Sequence, residues 1–271
     1  MIHTRVIARS LAVIGAATLL LSACSTAKDP SESSSQAESA LQRIEGSGTV
    51  KICTTGDYRP FTYLDPNTDE WSGIDIDMAK NLAASLGAEV EFVSTSWDDF
   101  TADMQDSCDV GVGGLSISTE RATQMYMSDA TVQDGKTPIT LCQSQEKYDS
   151  IEKINDESVD VITPVGGTNE EFAEKHFPDA NIIRWDDNNT IFDQIVAGDA
   201  DVMVTDAPET KWVSHTEQKL CAVNPGTPLN FSEQGYAVRL GDEEMLEYVN
   251  TWLRIVKNDG TYSAAEKKWY G

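Results

Sequence analysis

Hydrophobic and polar positions along the chain fall into two alternating registers. From Val50, short β-branched runs are separated by helical patterns: "VKICTT", then a stretch in which Met78, Leu82 and Leu86 recur every fourth residue and Gly87 closes it, then "EVEFV", a short helix and "CDVGVGG". That order is βαβαβ. A second unit repeats it with "VDVITP", a helix from Thr168, "NIIRW", a helix over residues 191–196 and "ADVMVTD". Each unit closes on a small-residue turn and a β-branched strand, as in "DSCDVGVGG" and "AGDADVMVTD". The alternation predicts an α/β fold of two lobes, each a mainly parallel sheet flanked by helices. Near the C-terminus Leu246, Val249, Leu253 and Val256 keep helical spacing, Gly260 stops that helix and a second short one follows, so this end is expected to pack back on the first lobe. Proline and glycine punctuate residues 136–140 and 224–231, the two places where the chain is expected to cross between lobes.

Open parallel sheets bind ligands beyond the carboxyl ends of their strands. The loops expected to line a cleft are therefore "TTGDYRPF", "STSWDDF", "GGLSISTER", "VGGTNEEF" and "TDAPET".

The first residues break this grammar. Arg5 and Arg9 precede the apolar run "LAVIGAATLLL" and small residues, the layout of a secretory signal rather than a membrane span. The run ends in "LSAC", which resembles the lipobox of bacterial lipoproteins and implies cleavage before Cys24 with lipid on its sulfur. Polar, serine-rich "STAKDPSESSSQAESA" then reads as a flexible tether. The expected organisation is a signal peptide over 1–23, a lipidated cysteine and tether over 24–40, one lobe over 41–137 plus 231–271, and the other over 138–230. Such a chain is exported and held to the outer face of the cell membrane or in the periplasm.

Charge narrows the partners. The 271 residues carry a formal charge of −25, and loss of the leader would remove Arg5 and Arg9 but no acid. Nucleic acid is excluded as a partner, and any anionic ligand needs a local positive site against the overall field. His3, His176 and His215 are scattered, and no nucleophile triad, phosphate loop or metal-ligand cluster is present in the pattern, so neither metal nor cofactor is expected. Besides Cys24 there are Cys53, Cys108, Cys142 and Cys221, whose spacing fits no zinc site. An exported chain with an even count reads as disulfides, with three connectivities open. Their places in the two halves favour Cys53 with Cys108 and Cys142 with Cys221.

The lipobox, "TTGDYRPF", "GIDIDMAKNLAASLG", "SISTER" and "NDGTYSAAEKKWYG" together resemble the family 3 periplasmic solute-binding proteins, from about residue 41 to the end. Within that family "CTTGDYRPF", "DGKTPITLC", "GGTNE", "NNTIFDQI", "DADVMVTDAPET" and "LCAV" are similar to the cyclohexadienyl dehydratases. These are enzymes on a binding-protein scaffold that turn prephenate into phenylpyruvate or arogenate into phenylalanine.

The resemblance implies site residues. Arg121 would pair with a ligand carboxylate, for which a guanidinium fork is suited, the bland alternative being a surface arginine beside Glu120. Ser116, Ser118, Thr168 and Asn169 would add donors. Tyr58, Phe61 and Trp97 would wall the ligand with aromatic rings, against ordinary core packing, an even choice for Phe61. Asp206 matches an aspartate that holds a ligand amino group; its alternative is a helix cap before Pro208.

In "GGTNEE", Thr168 with Glu171 three residues on reads as a capping box, giving Glu171 a structural role and leaving Glu170 free at a helix start whose N–H groups favour anions. The resemblance makes Glu170 the general acid that protonates the leaving hydroxyl. Two functions are carried forward: a cofactor-free dehydratase, and a lipid-anchored receptor that delivers an amino acid to an ABC permease.

Overall fold

The computed structural model describes residues 38–270; Cys24, the leader and most of the tether lie outside them. Two principal sheets organise these residues. The first runs in the order Glu89–Ser94, Thr49–Thr54, Val110–Ser116, Ser232–Arg239, Met125–Met127, with Val132–Asp134 also pairing Ser232–Arg239. The second runs Asn181–Trp185, Asp160–Pro164, Val202–Asp206, Lys136–Leu141, Leu220–Ala222. A small antiparallel sheet of Asp57–Tyr58, Thr62–Leu64 and Trp71–Ser72 sits on the first loop.

Each βαβαβ unit forms a parallel core, Thr49–Thr54 between Glu89–Ser94 and Val110–Ser116 in one lobe, Asp160–Pro164 between Asn181–Trp185 and Val202–Asp206 in the other. The sheets are nevertheless mixed rather than mainly parallel. Ser232–Arg239 runs antiparallel to all three of its neighbours, and Lys136–Leu141 runs antiparallel to both of its own. These two strands follow the crossings between sheets, at Gly135 and between Ala222 and Ser232. Each enters its sheet from the cleft end, so it runs against the parallel core.

Both faces of the second sheet are covered, which is why its strands read as unbroken apolar runs. Alternate residues supply the two sides: Val161 and Val202 pack with Phe172 and Phe177, while Ile162 and Met203 pack with Ile191, Ile195 and Val213. The first lobe buries Val50, Ile52, Leu82 and Val110 against the helix Glu243–Asn258. That helix starts on Asp242, whose carboxylate accepts the N–H of Met245 at 3.1 Å, and it carries Glu243 and Glu244 in its first turn and Lys257 in its last. The expected pairings Cys53–Cys108 and Cys142–Cys221 are both present, one in each sheet's lobe.

Asp75, in the helix Ile74–Ser85, ties this lobe to the cleft. Its carboxylate accepts the N–H groups of Gly113 (3.0 Å) and Gly114 (2.8 Å) and the hydroxyl of Tyr236 (2.9 Å). Burial outweighs these bonds and pushes the carboxyl up to about 6 from its ordinary 3.8. Through that window the native chain holds a proton that the unfolded chain has released. The group's stabilisation is therefore complete below the window and lost as pH rises through it. Urea unfolding of the wild type and Asp75→Asn should show the wild type losing ground to the variant between about pH 4 and 6.5, and a constant gap would contradict this.

Candidate functional site

A cavity of about 290 Å³, counting its mouth, lies between the two sheets at the ends of their strands. Four of its walls come from the loops expected to supply them: Tyr58, Trp97, Gly114 with Ser116 and Arg121, and the turn Gly166–Gly167 with Thr168 and Asn169. Asp206 closes it from the end of Val202–Asp206, and Asn188 enters from the start of "NNTIFDQI", a stretch to which the sequence reading gave no site role.

The centre of the site is set by sheet register. Lys136 begins its antiparallel strand directly opposite Asp206, the last residue of the neighbouring strand. Their side chains, each 3% exposed, form an ion pair at 2.8 Å. The remaining oxygen of Asp206 accepts the Tyr58 hydroxyl, from the other lobe, at 2.6 Å. The Lys136 ammonium also donates to Thr168 Oγ1 at 3.1 Å and to Asn169 Oδ1. Thr168 Oγ1 in turn meets Ser116 Oγ at 3.0 Å across the lobes, and Asn169 Nδ2 donates to Thr205 Oγ1 at 2.9 Å, which donates to the buried Glu209. Removing one member of a buried pair of this kind costs about 3–5 kcal/mol, because the other charge is left without a partner.

Burial dominates the titration of the groups around this pair. The phenol of Tyr58 is pushed well above its ordinary value by burial, then by Asp206 and Glu209, so it stays a donor. Burial likewise pushes Glu209 well up, against the Thr205 hydrogen bond. Arg121 is the exception in function: burial pulls its pKa down while Glu171, Asp206 and Glu120 push it back. Its Nη1 donates to the Ser116 carbonyl at 2.9 Å. Among the described residues no carboxylate stands within ion-pair distance of it, so its charge is available to a ligand.

Several expectations change at this point. The Thr168–Glu171 capping box does not form. The helix Gly167–His176 begins two residues earlier than that reading required: its N-cap is Gly166, which has no side chain, and Thr168, already inside the helix, has its hydroxyl engaged by Lys136 and Ser116. Glu170, expected to be free, instead accepts the Gly166 N–H at 2.7 Å and pairs with Arg184, which also reaches Glu174. Glu170 thus sits behind the Gly166 turn, outside the cavity lining, while Glu171 lines an outer groove with Ser118, Lys175 and Phe231.

Phe61 is core: it is 1% exposed and stacks on Tyr58 at 5.9 Å between ring centroids. Both rings crowd Gly114, where a Cβ would come within 2.7 Å of either. Ser118 does not reach the cavity; its hydroxyl accepts the Arg121 N–H at 3.1 Å and fixes the turn that presents the guanidinium. Asp206 opens the helix Ala207–Thr216 without capping it, its side chain being turned to Tyr58 and Lys136. Lys136, Asn188, Thr205 and Glu209 were missed. Two signals marked Lys136, its place in the quoted stretch "DGKTPITLC" and its charge at the head of the otherwise uncharged strand "KTPITL" just after a glycine.

Residues 50–271 match the model of the bacterial extracellular solute-binding proteins, family 3. The chain belongs to that family. As a solute-binding protein it is 43% identical to the cyclohexadienyl dehydratase of Pseudomonas aeruginosa over 235 residues, 86% of each chain. It is 25% identical to the L-cystine-binding protein TcyJ of Escherichia coli over 236 residues, 86% of this chain and 87% of that one. Among solved structures, an ancestral amino acid-binding protein that is a precursor of cyclohexadienyl dehydratase overlays with a TM-score of 0.79 at 35% identity, over 86% of this chain and all of the other. An ancestral cyclohexadienyl dehydratase is 42% identical and overlays at 0.55, over 86% and 97%.

In this solute-binding fold the lobes meet through a few polar bonds: Tyr58 to Asp206, Ser116 to Thr168, and Asn188 Nδ2 to the Asp57 carbonyl at 2.9 Å. Removing two of them by Tyr58→Phe with Asn188→Ala should shift the ligand-free protein toward an open form, against the remaining contacts of Ser116 with Thr168 and of Tyr270 with the Pro208 carbonyl. Small-angle scattering should then give a larger radius of gyration than wild type. An unchanged radius would show that closure does not depend on these bonds.

Proposed function

We propose that this protein is a cofactor-free cyclohexadienyl dehydratase, converting prephenate to phenylpyruvate or arogenate to phenylalanine with loss of water and carbon dioxide. The observation that carries it is the 43% identity to a dehydratase over 86% of both chains, set against 25% to a cystine-binding protein over the same span. The site chemistry agrees. Arg121 offers an unpaired guanidinium for a carboxylate, Tyr58 and Trp97 offer aromatic faces, and Ser116, Thr168 and Asn169 offer hydroxyl and amide groups. No step calls for an electron carrier or a metal: the C–O bond breaks as the hydroxyl takes a proton and leaves as water, the carboxylate bond breaks to release carbon dioxide, and its electron pair completes the aromatic ring.

Glu170 is the proposed source of the proton. It stands one turn residue away from the cavity, on the Gly166 N–H and Arg184. To act it must leave Arg184 and swing past Gly166, so the reading requires that substrate displaces that pair. A positioned acid contributes about 10²- to 10⁴-fold.

A second reading, a receptor that passes an amino acid to an ABC permease, is favoured by one observation: the overlay on the ancestral amino acid-binding protein is closer than that on the ancestral dehydratase. In either reading we propose that Cys24 carries a lipid that holds the protein to the outer face of the cell membrane or in the periplasm, and the mass of the N-terminal peptide tests that point.

The test is phenylpyruvate formation from prephenate by wild type, Glu170→Gln and Glu171→Gln, beside calorimetric binding. The dehydratase reading expects turnover in wild type, a loss of at least about 10²-fold in Glu170→Gln with binding retained, and a small change in Glu171→Gln. Wild type that leaves prephenate at its spontaneous rate would sink this reading and leave the receptor.

A further inference from the structure

Asp206 is the only acidic side chain among the described residues that line the central cavity, so it is the only counter-ion that a ligand ammonium could find there. Both of its oxygens already face a partner within the protein, Oδ1 in an ion pair without a hydrogen bond and Oδ2 in a hydrogen bond. One faces Lys136 Nζ at 2.8 Å, the other accepts Tyr58 Oη at 2.6 Å. Lys136 is held in place independently by Thr168 and Asn169, and by its cross-strand register opposite Asp206. A ligand ammonium that approached Asp206 would meet the Lys136 ammonium beside it, and like charges at such range in a site shielded from water repel strongly. Every other group in the lining is neutral except Arg121, which is cationic.

The remaining acids near Lys136 do not alter this balance. Asp134, two residues before it, is pushed up to about 8 by burial and then by Asp206, against Lys136 and Lys211, and it forms no ion pair among the described residues. Burial holds Glu209 well above its ordinary value as well. Among the described residues Asp206 is the carboxylate within ion-pair distance of Lys136, and the charge in the cavity lining left without such a partner is that of Arg121.

We propose that Lys136 is a specificity-determining residue: by occupying Asp206 it makes the site select an α-keto acid over the corresponding α-amino acid. The proposal rests on the dehydratase reading only in choosing prephenate over arogenate as its substrate. Its physical content, rejection of a ligand ammonium by an internal one, is a property of binding and does not depend on turnover.

Phenylpyruvate and L-phenylalanine differ at the carbon that carries the keto or ammonium group and neither can be dehydrated further. Calorimetry on wild type should find phenylpyruvate bound at least about tenfold more tightly than L-phenylalanine. Lys136→Met frees Asp206 and should narrow or invert that ratio by at least about tenfold, chiefly through a gain in phenylalanine affinity. Lys136→Met combined with Asp206→Asn removes both charges, avoids a lone buried carboxylate and should bind phenylalanine no better than wild type. Equal or tighter binding of phenylalanine by wild type overturns the proposal, as does an unchanged ratio in Lys136→Met that retains the wild-type circular dichroism. If Lys136→Met does not fold, the wild-type ratio and the double variant still decide. Absence of prephenate turnover with the keto preference intact would refute the dehydratase reading alone; turnover without the preference would refute this inference alone.

Discussion

Lys136 and Asp206 face each other across an antiparallel ladder at the point where the chain has just crossed from one sheet to the other. The remaining site geometry depends on that pair. Lys136 draws in the Thr168 hydroxyl and the Asn169 amide, which sets how the helix Gly167–His176 begins. Asp206 takes the Tyr58 hydroxyl and so holds the opposite lobe against it. An internal ion pair is a costly thing to bury, and replacing such pairs by apolar groups is often neutral or stabilising. Its retention at the cleft floor is accounted for by what it does to the ligand field rather than by what it adds to the fold.

That field is local and runs against the rest of the molecule. The protein carries a formal charge of −25, yet the cavity presents one unpaired guanidinium and a neutralised aspartate. Burial pushes the nearby Tyr58 and Glu209 well above their ordinary values, and both are engaged in hydrogen bonds, Tyr58 to Asp206 and Glu209 from Thr205. On the proposed reading an anion would be bound by Arg121 at short range, where screening by solvent is weak, while the acidic exterior would slow its approach. The same scaffold serves an L-cystine-binding protein and a dehydratase among its relatives, so function has to be argued from the site rather than from the fold.

The parallel core of each lobe was legible because strands covered on both faces show as apolar runs closed by turn residues. The disulfides followed from export and from the even cysteine count. The crossing strands were not legible in direction: "KTPITL" reads the same whether it runs with or against its neighbours, and only its antiparallel register places Lys136 opposite Asp206. The two glutamates of "GGTNEE" were assigned by local helix rules, and the rule failed because the helix starts at Gly167 with Gly166 as its cap, which places Thr168 inside the first turn, where its hydroxyl meets Lys136. Phe61 could not be separated from Tyr58 by loop position; the missing side chain of Gly114 lets both rings pack inward, and only Tyr58 carries a hydroxyl that reaches the cleft.

A crystal structure of the wild-type protein with phenylpyruvate bound tests the central claim most directly, since it shows where the ligand charge goes and whether the internal pair survives. The account predicts the ligand carboxylate within hydrogen-bonding distance of the Arg121 guanidinium, its ring between Tyr58 and Trp97, and the Lys136–Asp206 ion pair intact. A carboxylate bound to Lys136 with Asp206 displaced, or a ligand that leaves Arg121 without a contact, would contradict it.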